Sequence, residues 1–100
     1  MVNFPFQESV VDLSKNKVVV LRTFSEKVHS EDLLWHWDEE DRIISTNQET
    51  DWLFQFDNKL PQRIQGRIEI PKGMWHRLIK GTGDLSLTVE KIGYINLETS

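Results

Sequence analysis

One hundred residues without a long polar tract make a single domain with a small core. A formal net charge of −4 with acids and bases interspersed leaves no Lys/Arg stripe and argues against a nucleic-acid partner, and the absence of cysteine rules out disulfides and thiolate sites. No run approaches the roughly 18 apolar residues of a membrane span, and Met1-Val2-Asn3-Phe4-Pro5 is not a basic region leading into an apolar run, so a cytoplasmic protein without a membrane partner is expected.

The chain has no alanine, but eight Val and eight Ile. Alanine is the best helix former, whereas β-branched and aromatic residues suit strands, so the balance points to an all-β protein. Residues 1–16 read as an irregular N-terminal arm, in which Phe4 and Phe6 can pack over an open edge or a neighbouring chain. Lys17 to Phe24 is a β-branched run and reads as a strand. Ser25 to Asp32 is polar, a loop or one helical turn.

Leu33 to Asp38 reads as the next strand. Its alternation puts His36 and Asp38 on one face and Trp35 and Trp37 on the other, where the tryptophans are expected in a sheet-on-sheet core or a dimer contact. Glu39-Glu40-Asp41 is an acidic break and most simply a solvated turn, lacking the ligand spacing of a calcium loop. Arg42 to Thr46 is a short strand. Along Asp51 to Asp57, Trp52, Phe54 and Phe56 face one way and Leu53, Gln55 and Asp57 the other. Leu60 to Gln65 returns, Arg67 to Ile70 is a strand that stops at Pro71, and Trp75 to Lys80 is another. Gly81-Thr82-Gly83-Asp84 is a tight turn, and with no helix or Lys-Ser/Thr after it, it is not a phosphate loop. Leu85 to Lys91 alternates cleanly and closes the sheet. About eight short strands at this spacing suit a sandwich or barrel.

Two segments carry the chemistry. Pro71-Lys72-Gly73-Met74-Trp75-His76 is a turn that aims one imidazole: Pro71 ends a strand, Gly73 permits a positive φ, and His76 restarts a strand pointing inward. His36-Trp37-Asp38 supplies a second imidazole and a carboxylate. Two histidines and one acid from separate strands can hold a divalent metal in a barrel mouth.

From Leu33 to Lys91 the pattern resembles a small single-domain cupin, a double-stranded β-helix or jelly roll. The family's second motif is matched by Gly66, four residues, then Pro71-x-Gly73-x-x-His76. Its first motif, His-x-His with a following Glu, is matched at His36 but reads Asp38 at the second His, and the Glu position falls on Arg42 or Ile43. The family's Asn after the second-motif His falls at Lys80. The chain also resembles the very small cupin-like proteins of some phage genomes. The resemblance implies a cupin-like barrel and a site in which His36, Asp38 and His76 hold Fe, Mn, Ni or Zn; separately, a barrel this small can bury sheet surface against a second copy, so a homodimer is expected. The same fold class in 2-oxoglutarate oxygenases uses His-x-Asp and a distal His, which His36-x-Asp38 and His76 also spell, with Lys80 and Lys91 the only downstream bases for the oxoglutarate carboxylate.

The function so implied is a metal-dependent small-molecule enzyme of the isomerase or dioxygenase kind, with Arg42, Gln55 and Trp75 as substrate-binding residues. Set against it is an Asp38–Arg42 ion pair that replaces a ligand with a structural bridge. In that case the pocket is a metal-free binding module for a small anion or sugar, with Gln62 as a further polar contact, or the barrel is a structural dimer. His29 is expected at the surface. Glu69 is a pocket carboxylate or a surface residue.

Overall fold

A computed structural model describes residues 4–93. Eight strands alternate with tight connections: β1 (Gln7–Ser14), β2 (Lys17–Phe24), β3 (Asp41–Ser45), β4 (Leu53–Phe56), β5 (Gln62–Arg63), β6 (Arg67–Ile70), β7 (His76–Ile79) and β8 (Leu85–Ile92). The sole helical element among the described residues is a single 3-10 turn at Ser30–Asp32, so the all-β reading holds. The strands form two antiparallel sheets, one of order β1-β2-β8-β3-β6 and one of order β5-β4-β7.

Period-2 alternation decides what is inside. In β2, Val18, Val20 and Phe24 are buried; in β8 the buried residues are Leu85, Leu87 and Val89, and in β6 they are Ile68 and Ile70. From the other sheet come Trp52 and Phe54, both essentially inaccessible. The two inner faces meet around Trp52, whose indole N–H donates to the Gly83 carbonyl at 3.0 Å, so the largest buried side chain leaves no orphaned donor. The turn carrying Gly83 is anchored by Asp51, which accepts from both the backbone N–H and the hydroxyl of Thr82 at 2.7 Å.

Three expectations about the elements are corrected. Gln7–Ser14 is a strand, not an irregular arm. It is exposed along its whole length, and its register on β2 shifts between Val10 and Asp12, so no clean alternation marks it. Leu33–Asp38 is not a strand: one bridge, His36 with His76, is its entire sheet pairing. Trp35 and Trp37 are consequently outside the core, 38% and 48% exposed, with the Arg77 guanidinium 4.5 Å above the Trp35 ring. The return strand from Leu60 shrinks to Gln62–Arg63, with Gln62 exposed. His29 is exposed, as expected, and Glu69 proves to be a surface residue.

Gly81 lies against the backbone of the neighbouring turn. A Cβ there would meet Trp52 N at 2.6 Å and the Asp51 carbonyl carbon at 2.7 Å. Gly81→Ala is therefore expected to destabilise the fold by about 1–3 kcal/mol. Trp52→Phe, which removes the indole donor but keeps an aromatic ring, should cost about 1–3 kcal/mol. Urea unfolding of each variant checks both; an unchanged midpoint for Gly81→Ala would mean the turn yields freely.

Candidate metal centre

The Pro71 turn and the Leu33–Asp38 segment are stitched together by main chain. His36 and His76 exchange backbone hydrogen bonds at 3.0 and 2.9 Å, and Gly73 N–H donates to the Asp38 carbonyl at 2.9 Å. Gly73 has φ +80°, a conformation that suits glycine, and it is this bend that brings its N–H to Asp38. Lys72 N–H donates to the Asp41 carboxylate at 2.9 Å, fixing the start of β3 to the same turn.

Within this frame the side chains of His36, Asp38 and His76 converge, with one donor atom from each lying within 4.8 Å of the others. His76 Nε2 is 3.3 Å from Asp38 Oδ2, and His36 Nε2 is 3.9 Å from Asp38 Oδ1. Each ring is oriented from behind. The His36 Nδ1 sits 3.0 Å from the Leu34 carbonyl and the His76 Nδ1 2.7 Å from the Met74 carbonyl. A carbonyl only accepts, so both Nδ1 atoms carry a proton, which turns each Nε2 toward the shared space, where a neutral ring would offer it as a ligand atom. Phe54 stacks on His76 with ring centroids 5.5 Å apart. His76 and Asp38 are buried, whereas the His36 side chain is half exposed.

Asp38 Oδ2 is buried yet has no hydrogen bond of acceptable geometry. Two Nε2 atoms and a carboxylate oxygen that lie within 4.8 Å of one another make a mixed nitrogen–oxygen donor set that fits a divalent ion of the borderline class. Backbone carbonyls on the far side of both rings are the usual support for histidine ligands. Burial would raise the Asp38 carboxyl, but the His76 imidazole and the Arg42 guanidinium outweigh it and hold the group below its ordinary value. Burial pushes His36 below its ordinary value, against the Leu34 carbonyl, which opposes the shift.

Arg42 NH1 lies 3.4 Å from Asp38 Oδ1 and its NH2 3.4 Å from Glu40, while its Nε is buried without a partner. The expected Asp38–Arg42 pair is thus present, and it engages one carboxylate oxygen while the other faces His76. A cavity of about 370 Å³ opens beside this cluster. Phe24, Ile44, Phe54, Leu78, Leu87 and Val89 line its interior, and Phe4 and Phe6 of the N-terminal segment form part of its wall.

Of the six expected site residues, four lie together on this cavity: His36, Asp38, Arg42 and His76. Gln55 and Trp75 are not on its lining. The Gln55 amide donates to the Lys59 carbonyl and accepts from Arg77 Nε, both at 3.0 Å, and Trp75 is 45% exposed. Strand parity explains both, since Gln55 alternates with the inward Phe54 and Trp75 with the inward His76. Two charged residues on the cavity were missed, Asp32 at the end of the 3-10 turn and Arg22. Arg22 stands in the inward register of Val18, Val20 and Phe24, and a cation at an inward position was the signal that could have found it. Its Nε donates to Glu8 at 2.7 Å and its guanidinium lies 3.9 Å over the Phe6 ring.

No family model matches the sequence, and no curated protein matches it. Solved structures do match. An RmlC-like cupin family protein with a double-stranded β-helix fold from Methanocaldococcus jannaschii superposes with a TM-score of 0.70 over 98% of this chain and 89% of its own, at 6% identity. DMSP lyase DddQ from Ruegeria pomeroyi gives 0.74 over 96% of this chain and 50% of its own, at 14% identity. KdgF from Halomonas sp. gives 0.67 over 92% of this chain and 84% of its own, at 14% identity. At these identities the likeness is one of architecture, and this chain has the RmlC-like cupin fold, a double-stranded β-helix.

Proposed function

We propose that this protein is a metal-dependent enzyme acting on a small molecule, with His36, Asp38 and His76 as the metal ligands. The observation that carries the reading is the pair of Nε2 atoms, turned inward by the Leu34 and Met74 carbonyls, that lie 3.9 and 3.3 Å from the buried Asp38 carboxylate. Three protein ligands leave coordination positions open, and a bound divalent ion (Fe, Mn, Ni or Zn) would supply Lewis-acid polarisation of a substrate oxygen, or redox chemistry if it is iron. The protein's own part is positional. Arg42, whose buried Nε lacks an acceptor, would donate to an anionic group of the substrate. The apolar lining would exclude water from the reacting bond. Isomerase and dioxygenase chemistry both suit such a site, and a lyase is compatible with it, as one of the structural neighbours is a DMSP lyase.

A second reading has its own observation. The Arg42 guanidinium lies 3.4 Å from Asp38 Oδ1, and a fixed cation beside that carboxylate disfavours a second one, which favours a metal-free module for a small anion. Metal content separates the two. After reconstitution with Fe(II), Mn(II), Ni(II) and Zn(II) in turn, mass spectrometry should find close to one equivalent of at least one ion. His36→Ala, Asp38→Ala and His76→Ala should each lower its affinity by more than about 100-fold. Equal metal content in all three variants would end the metal reading; ligand binding that needs Arg42 but ignores chelator would establish the second.

Acid release of the metal gives an independent check. Ligation needs a neutral imidazole and an ionised carboxylate. His36 and Asp38 both have depressed values in the folded protein, so protons compete for them only at lower pH. The midpoint of metal release should therefore lie below the ordinary histidine value of about 6.5. The same sign applies to the metal-free fold. The stability contributed by a depressed group is present above its unfolded-state value and is lost as pH falls through the folded one. Asp38→Asn should accordingly flatten the acid limb of the stability profile, as followed by circular dichroism.

The protein also acts, in this reading, as a homodimer through β1. Val10 and Leu13 pair with Val20 and Val18, so they extend the inward side of the sheet beyond the barrel, where they are 63% and 67% exposed. An open edge strand with apolar residues is a pairing surface. Sedimentation velocity should give a dimer that Val10→Glu/Leu13→Glu converts to monomer; a monomeric parent protein would remove this part of the proposal.

A further inference from the structure

The cavity beside the metal ligands is divided by chemistry. Its interior is hydrocarbon: Phe24, Ile44, Phe54 and Leu78 come from four different strands of both sheets. Its other end is charged. Arg22, His36, Asp38 and Arg42 line it there, and the same four side chains line a second recess that also includes Glu8 and Lys91. The metal ligands thus stand at the junction of an apolar chamber and a polar one.

The cations at that junction are all paired. Arg22 and Lys91 are paired with Glu8, and Arg42 is paired with Asp38 and Glu40. With Asp32 also on the cavity lining, the metal-free mouth has no surplus of positive charge. A divalent ion held by His36, Asp38 and His76 changes this, because the neutral imidazoles add no compensating charge. The loaded mouth is then net positive, in a partly buried setting where charge is weakly screened. Arg42 Nε already lacks an acceptor there.

We propose, resting on the metal reading above, that the substrate is an apolar molecule bearing a single carboxylate, with its hydrocarbon body in the chamber and its carboxylate at the Arg42 end, and that its binding is coupled to metal occupancy. The volume of about 370 Å³ accommodates a ring or a branched chain and exceeds what acetate or glycolate would fill. Sugars, which present hydroxyls all round, would leave their polar groups unpaired against Phe24, Phe54 and Leu78.

The test uses 4-phenylbutyrate, 4-phenylbutan-1-ol and acetate as probes, titrated calorimetrically into zinc-loaded and metal-free protein. In zinc-loaded protein 4-phenylbutyrate should bind at least tenfold tighter than either the alcohol or acetate, and metal-free protein should lose the preference for the acid over the alcohol. Arg42→Met should abolish the preference for acid over alcohol while zinc content stays near one equivalent. Leu33→Trp, which places bulk in the apolar chamber from a surface turn, should weaken 4-phenylbutyrate and spare acetate. Circular dichroism and zinc content of each variant separate loss of fold from loss of contact. Retained zinc with acetate bound as well as 4-phenylbutyrate would overturn the substrate class and leave the metal site standing. Equal binding of 4-phenylbutyrate with and without zinc would overturn the coupling. Failure to retain zinc in the parent protein would overturn the metal reading and this inference with it.

Discussion

Everything at the candidate site depends on a short run of main-chain hydrogen bonds between two segments far apart in sequence. His36 and His76 pair through their backbones, and Gly73 donates to the carbonyl of Asp38. These bonds do for the site what a longer strand would do for an ordinary sheet. They set the height and direction from which three side chains leave the backbone, at a place where side-chain packing is thin because Trp35 and Trp37 point to solvent. A residue other than glycine at position 73 would have to adopt φ +80°, which costs most residues energy, and the strain would fall on the bond that registers Asp38. The geometry of the donors is thus a backbone property first and a side-chain property second.

The electrostatics follow from that frame. Asp38 is buried among two imidazoles and a guanidinium, and it is the one carboxylate on which all three converge. Its environment lowers its proton affinity despite its burial, so it is an anion whether or not a metal is bound. What differs between the two states is its partner. Arg42 can satisfy one oxygen in either, while the other oxygen is left to whatever lies between it and His76. A fixed guanidinium and a mobile cation compete for this carboxylate, and the guanidinium's hold is partial, because Arg42 divides its own contacts between Asp38 and Glu40.

Much of the barrel was legible because one-sided burial writes itself as alternation. Arg67–Ile70, and the last strand from Leu85 to Val89, bury every second residue, and the turn at Pro71-x-Gly73 is a local signature needing no tertiary information. Gln7–Ser14 was illegible for the opposite reason. No layer covers either face of it, and the shift at Val11 breaks the period that remains. Leu33–Asp38 misled because its alternation is real in sequence, yet His76 is its one partner, and a segment with a single bridge has no ladder to enforce pleating. The convergence of His36, Asp38, Arg42 and His76 could be expected from parity and motif. Arg22 could have been found by the same parity and was passed over, because an ion pair with Glu8 requires knowing that the N-terminal segment folds back as a strand.

The order of strands in the larger sheet has a consequence for how the protein is made. β8 lies between β2 and β3, yet it is the last of the described strands in sequence. Until residues 85–92 leave the ribosome, that sheet exists as two separate pieces, the β1–β2 hairpin and the β3–β6 pair, each with an open edge where β8 belongs. The pieces are joined only by the late insertion of a strand whose partners in β2 lie some 70 residues away, as in the pairing of Val20 with Val89. Such non-local closure is slow relative to hairpin formation. Until β8 is in place, the strands that carry Val18, Val20 and Ile44 keep open edges, so the interval before β8 emerges is when this barrel is most exposed to aggregation and has most to gain from a chaperone.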